Sequence, residues 1–237
     1  FLKGAEQGQA MAQYFAGYCY YEGRGTTQNY QEALRWLTKS AEQEEIEAQF
    51  LLGICYENGR GTAQDFQKAT NWYLKAALSG HTSAQFNLGN IYFVGKGVEP
   101  DYKEAVLWYS KAAENGHVKS QFVLAGCYYA GKGITKDLQK AVKWFTKAAE
   151  QGEPTSQFFL GLSYYNGQGI TQDYEKAFEW FKKSAEDGQA NAQYYLALCY
   201  YYGQGIAKDH EKAISLFTEA YLQGDLDAKE ALKQLFN

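Results

Sequence analysis

A Gly-X-Gly pair begins at Gly23, Gly59, Gly95, Gly131, Gly167 and Gly203, each start 36 residues after the one before. A period of this size, held without slippage, predicts a stack of similar supersecondary units in which each packs on its neighbours, not a single globular core. The 237 residues divide into six units, 9–44, 45–80, 81–116, 117–152, 153–188 and 189–224. Residues 1–8 (FLKGAEQG) match the end of a unit, as in 145–152 (FTKAAEQG), and 225–237 start a further one. A chain that begins in mid-element is expected to be a fragment or a processed form.

The unit 153–188 shows the local logic. Ser156, Leu160 and Tyr164 fall on one face of a helix predicted over Thr155–Tyr165. Gly161, with Gly17, Gly53 and Gly89 in the same register, lets a second helix approach closely. Asn166-Gly167-Gln168-Gly169 ends the first helix, because glycine accepts the positive φ of a C-cap. Asp173 then caps a second helix, as do Asn29, Asp65, Asp101, Asp137 and Asp209, each cap worth ~1 kcal/mol. Glu32 and Glu104, three residues after their caps, would complete capping boxes. Ala177, Trp180, Phe181, Ser184 and Ala185 form the buried stripe of the second helix, and Gly188 stops it. Pro100 and Pro154 sit at junctions or loops. The reading is an all-α solenoid of six antiparallel helix pairs. The last segment puts Ala228, Leu232 and Phe236 on one face and Lys229, Glu230, Lys233 and Gln234 elsewhere, as a C-terminal capping helix would. A natural C-terminus is expected there.

Apolar residues make up 46% of the chain and aromatics 17%, enough for a continuous core and against disorder. The net charge of −4 disfavours a general phosphate-binding field, so no nucleic-acid partner is expected. No apolar run approaches the ~18 residues of a membrane span, so no membrane insertion is expected either. Cys19, Cys55, Cys127 and Cys199 share one register. Equivalent atoms of stacked helices lie ~10 Å apart, and a disulfide needs Cα atoms within ~7 Å, so these read as buried free thiols. They point to the cytoplasm or another reducing compartment, including the interior of a host cell. A signal peptide removed with the missing start would instead allow secretion or the periplasm. A monomer is expected.

The Gly-X-Gly loops lack the strand before and the Gly-Lys-Ser/Thr after that a P-loop needs. One carboxylate per loop is too few for calcium. His81, His117 and His210 have no partner at metal-ligand spacing and read as surface or helix-terminus residues. No nucleophile elbow occurs. Catalytic, metal and cofactor residues are accordingly assigned to none.

The third unit, with Ala84, Leu88-Gly89, Tyr92, Gly95, Gly97-Val98, Asp101, Ala105, Trp108, Lys111-Ala112-Ala113 and Gly116, carries a pattern that recurs six times. It resembles the Sel-one-like repeat (SLR), a relative of the tetratricopeptide repeat, along the whole chain. Departures are local: Ala125 and Ala197 for the first-helix glycine, Leu216 and Tyr221 for Trp and Ala, and Glu44 for the helix-ending glycine. Some bacterial members carry a disulfide in each repeat; the Tyr20 and Ala41 registers stand in for that pair here. The resemblance implies a right-handed superhelix whose concave groove is lined by first helices. It also implies scaffold or adaptor work in protein quality control, bacterial signalling or contacts between bacteria and host cells.

In such repeats a partner meets three first-helix positions. The first, Tyr14, Phe50, Phe86, Phe122, Phe158 and Tyr194, is always aromatic and reads as structural. The other two vary, as a recognition surface would: Tyr18 and Tyr21, Ile54 and Glu57, Asn90 and Phe93, Tyr129 (after Gly126), Leu162 and Tyr165, and Leu198 and Tyr201. Phe93, Tyr129, Tyr165 and Tyr201 form an aromatic stripe suited to anchoring an interface, with packing between units as the alternative account. A second row, Arg24, Arg60, Lys96 and Lys132, makes a basic loop edge. The function expected is a non-enzymatic module that binds a protein or peptide in its groove. Two alternatives are a hydrolase or binder of small molecules or cell-wall fragments, and a membrane-surface adaptor using the basic edge.

Overall fold

The computed structural model describes residues 2–236. Among them are fourteen helices and no strand. They are α1 (Leu2–Glu6), α2 (Ala10–Glu22), α3 (Tyr30–Ala41), α4 (Ile46–Asn58), α5 (Phe66–Leu78), α6 (Thr82–Val94), α7 (Tyr102–Glu114), α8 (Val118–Ala130), α9 (Leu138–Glu150), α10 (Pro154–Asn166), α11 (Tyr174–Glu186), α12 (Ala190–Tyr202), α13 (His210–Leu222) and α14 (Leu226–Phe236). This is an all-α solenoid fold of first and second helices in alternation. The helices fall into two compact bodies, α1–α7 and α8–α14.

Within a pair, closeness is set by the residue at the middle of the first helix. A Cβ added at Gly53 would lie 2.6 Å from the Tyr73 ring, so only glycine lets that ring lie flat on the helix. The second-helix core residue is the one after the Trp register: Tyr73, Tyr109, Phe145, Phe181 and Phe217 are all but fully buried. The expected stripe through Trp180 therefore needs correction. Trp180 is half-buried while Phe181 has no exposed surface, because the 20-residue spacing sets Phe181, not Trp180, against Gly161. Trp36, Trp72, Trp108, Trp144 and Trp180 are each covered by the Lys one turn later, 4.1–4.9 Å above the ring.

The caps form at the expected residues. Asn29 and Asp101 each accept two backbone N–H groups, and Asp65, Asp137, Asp173 and Asp209 one apiece. The capping boxes do not close. The Asn29 N–H donates to the Tyr20 carbonyl at 2.8 Å, and the Asp101 N–H to Tyr92 at 2.8 Å. Glu32 pairs with Arg35, and Glu104 accepts from the Trp108 indole at 2.9 Å. Pro154 stands at the junction of the fourth and fifth units, at the first position of α10, where a missing N–H costs nothing. In α14, Ala228 is fully buried and Leu232 half-buried, while Lys229, Glu230, Lys233 and Gln234 face out. The side chain of Phe236 lies outside the described residues.

Neighbouring units are stitched by a buried glutamine. Gln13 donates to the Ala5 carbonyl at 3.1 Å, and Gln85 to Ala77 at 3.1 Å. Their Oε1 atoms accept from a side chain 30 residues on, Gln43 at 2.7 Å and Asn115 at 3.4 Å. The same bond joins Gln151 to Gln121 at 2.7 Å and Gln223 to Gln193 at 2.8 Å. Gln49 and Gln157 have no partner for Oε1, because Ser79 and Asp187 occupy the donating position. Their own bonds to Ala41 and Ala149 are long, 3.4 and 3.5 Å.

Candidate functional site

The Gly-X-Gly loop does more than turn the chain. At Gly61 φ is +76°, and a Cβ there would lie 2.2 Å from the Tyr30 carbonyl oxygen. Gly205 meets Tyr174 in the same way at 2.1 Å. The second glycine thus seats the loops of Gly61, Gly97, Gly169 and Gly205 on the second helix of the preceding unit. That seat brings the X residue beside the last recognition position of the preceding first helix.

The two candidate rows therefore meet. The Arg60 guanidinium bonds to the Tyr21 hydroxyl and lies 5.1 Å over the Tyr21 ring and 5.6 Å over Tyr30. Lys96 reaches Glu57 at 3.5 Å. The Tyr129 hydroxyl donates to Gln168 at 3.4 Å, and that of Tyr165 to Gln204 at 2.6 Å. Every one of these pairs is 39 residues apart, one period plus three. That spacing was present in the sequence and is the signal that could have joined the rows. It also means that Arg60 and Lys96 are not a free cationic edge. Arg24 is exposed and lies 5.3 Å over Tyr18, and Lys132 is half-buried.

Glu57 has a second contact: its other carboxylate oxygen accepts the Tyr73 hydroxyl at 2.7 Å. Burial, and then the Glu57 charge, hold the Tyr73 hydroxyl well above the usual tyrosine range. Asn90 accepts the Tyr109 hydroxyl at 2.8 Å. A second-helix tyrosine therefore fixes the recognition residue of its own unit from beneath, a role not foreseen from sequence. Burial pushes Tyr165 up to about 12, and Tyr174 and Tyr195 stand edge-on to its ring. Phe93 packs edge-on to Tyr102, and Tyr201 against Tyr202 and His210. Tyr21 is buried; Tyr18, Ile54, Glu57, Asn90, Phe93, Tyr129, Leu162, Tyr165, Leu198 and Tyr201 are half-buried, each keeping some surface for contact.

The remaining chemistry is structural. His81 is the N-cap of α6, with Nδ1 accepting from Ala84 at 3.1 Å, Nε2 3.4 Å from Glu47 and its ring stacked on Phe50. The four thiols are free; Cys55, Cys127 and Cys199 are buried and Cys19 is half-buried. Burial pushes Cys55 and Cys199 up to about 12 and Cys127 to about 11, so none of these three is a poised nucleophile. Among the described residues no group of three His, Cys, Asp or Glu could hold a metal ion, and no helix is long and apolar enough to cross a membrane.

Comparison with known proteins gives one consistent result. The Sel1 repeat family model matches at residues 10–45, 46–81, 82–117, 118–153, 154–189 and 190–225. A protective antigen of uropathogenic Escherichia coli strains, displaying an SLR fold, is 39% identical with a TM-score of 0.89 over 95% of this chain. The match covers 48% of the antigen, so the chain spans about half its length. A Sel1 repeat protein from Oxalobacter formigenes is 36% identical, with a TM-score of 0.74 over 90% of this chain and 86% of the other. No curated protein matches the sequence.

Proposed function

The chain belongs to the Sel1 repeat family, whose members generally mediate protein–protein interactions on a non-catalytic scaffold, and from that premise we propose that it is an adaptor holding a peptide or protein partner along its first helices. The observation that carries this reading is the double support of the recognition rows. Tyr21, Glu57, Tyr129 and Tyr165 are each held by the loop of the next unit, and Glu57 and Asn90 are also held from beneath. Side chains fixed in advance lose little entropy when a partner arrives. Half-exposed Tyr18, Ile54, Leu162 and Leu198, between these fixed neighbours, supply the apolar contact. The buried free thiols support a reducing compartment as its place of work. The likeness to a protective antigen supports a role in contacts between bacteria and host.

The test is site-specific photo-crosslinking in lysate from Leu162, Leu198 and, as control, the exposed second-helix residue Glu175. One partner captured from both first-helix sites and not from Glu175 is the expected result. Equal capture from all three sites, or capture from Glu175 alone, would refute the reading.

A further inference from the structure

The sixth unit departs from the other five at two neighbouring places. Where units 1–5 carry Trp and, one turn on, a Lys over its ring, the sixth carries Leu216 and Glu219. In the third unit Trp108 is buried among Ala77, Ala84 and Leu88. Three periods on, Ala185, Leu196 and Leu216 border a cleft of about 410 Å³ between α11 and α13. That volume lies within the usual ~300–1,000 Å³ range of small ligand sites. Leu216 borders this cleft in the register where units 1–5 carry an indole.

One position at the mouth of the cleft has changed sign with the floor. Glu219 stands where Lys39, Lys75, Lys111, Lys147 and Lys183 cover their rings. Its carboxylate is turned inward: it accepts from Gln193 at 3.3 Å and from Ser215 at 3.4 Å. Gln193 is buried, and it serves Glu219 where Gln13 and Gln85 serve a backbone carbonyl. Lys212, also at the rim, is paired with Asp209 at 3.0 Å and lies 5.4 Å over Tyr200. Glu186 adds a second carboxylate, and Lys182 a second ammonium group on the α11 side.

We infer that this cleft is a second binding site, separate from the first-helix rows, for an aromatic side chain flanked by a positive charge on a partner protein. The ring would take the place the chain's own tryptophan takes in the other units, and the cation would meet Glu219.

The test is NMR titration of the whole chain with two peptides, Ac-Lys-Trp-Lys-NH2 and Ac-Glu-Trp-Glu-NH2. The basic peptide is expected to give saturable shifts at Leu196, Tyr200, Leu216 and Glu219. The acidic one should bind roughly five-fold more weakly, the size of one solvent-exposed charge pair. The double variant Leu216→Trp/Glu219→Lys restores the residues of the other units. It should lose the shifts while melting no lower than the parent. Glu219→Gln should keep ring binding and lose the preference between peptides. Shifts that are absent or lie elsewhere, indifference to peptide charge, or unchanged binding by the double variant would overturn the inference. So would a lower melting point of that variant, because the ring would then not fit the cleft.

Discussion

Asp187→Gln should stabilise the protein by about 1.5 kcal/mol. Gln157 is 5% exposed and its Oε1 accepts no hydrogen bond. Elsewhere the residue 30 positions on supplies the donor, as Gln151 does for Gln121 at 2.7 Å. An ionised Asp187 can only accept. The backbone is already suitable: φ −81°, ψ 7° at Asp187 against φ −90°, ψ 8° at Gln151. An unmet buried acceptor costs about 1–3 kcal/mol, and ordering a glutamine side chain takes back up to ~1.5–2, leaving about 1. Asp187 is also the C-cap of α11. Removing an anion from that negative helix end adds about 0.3–1 kcal/mol. For a chain of this size the sum corresponds to a melting point about 3–6 °C higher. Circular dichroism melts of the parent, Asp187→Gln and Asp187→Ala check it, because alanine keeps only the helix-end part. The expected order of stability is Gln, then Ala, then Asp. A glutamine variant no more stable than the alanine variant would refute the ladder argument.

Glu44 is the one non-glycine residue at positive φ (64°) among the described residues, where the other units have glycine. Glu44→Gly should relieve about 1–2 kcal/mol of strain and return ~0.5–1 through the freer unfolded chain, a net gain read as a higher urea midpoint. Gly53→Ala and Gly126→Ala form a matched pair. The first sets a methyl 2.6 Å from the Tyr73 ring and should cost about 1–3 kcal/mol. The second meets nothing within 4 Å and should gain about 1 kcal/mol by helix propensity, while weakening capture of any first-helix partner; a loss of stability at Gly126 would refute it. The buried thiols set an alkaline limit. Burial raises Cys55 and Cys199 from 9.0 to about 12, so their contribution is complete below pH 9 and is lost as pH rises toward about 12. Thermal melts across that range should fall more steeply for the parent than for Cys55→Ala/Cys199→Ala. In thiol-labelling experiments near neutral pH, half-buried Cys19 should react before the other three.

The fold was legible because its signals are local and repeated. Glycines at the loops, Asn29 and the aspartates at the caps, and the alternation of apolar faces each decide one helix end or one face without reference to distant residues. What escaped reading was set by neighbours. Glu32 and Glu104 sit at capping-box spacing, but the N–H groups they would have met are taken by Tyr20 and Tyr92, which the turn brings near. The second-helix stripe takes in Trp180 beside Phe181 on pattern alone, whereas only Phe181 is aimed at Gly161. The candidate rows were read along single helices, so the bonds from Tyr21 to Arg60 and from Tyr165 to Gln204, which cross units, were not seen.

The seat of Gly61 on Tyr30 has a consequence for inheritance. Together with the glutamine bonds to a carbonyl eight residues back and the 39-residue side-chain bonds, it ties a unit to the one beside it in one repeated fashion. Removing or duplicating 36 residues of coding sequence therefore joins a loop to another copy of its own docking place. Such an array can lengthen or shorten by misaligned recombination in a single event, with no compensating mutation. A change of one or two residues inside a unit has no such route, because it lifts the second glycine off the carbonyl it rests on.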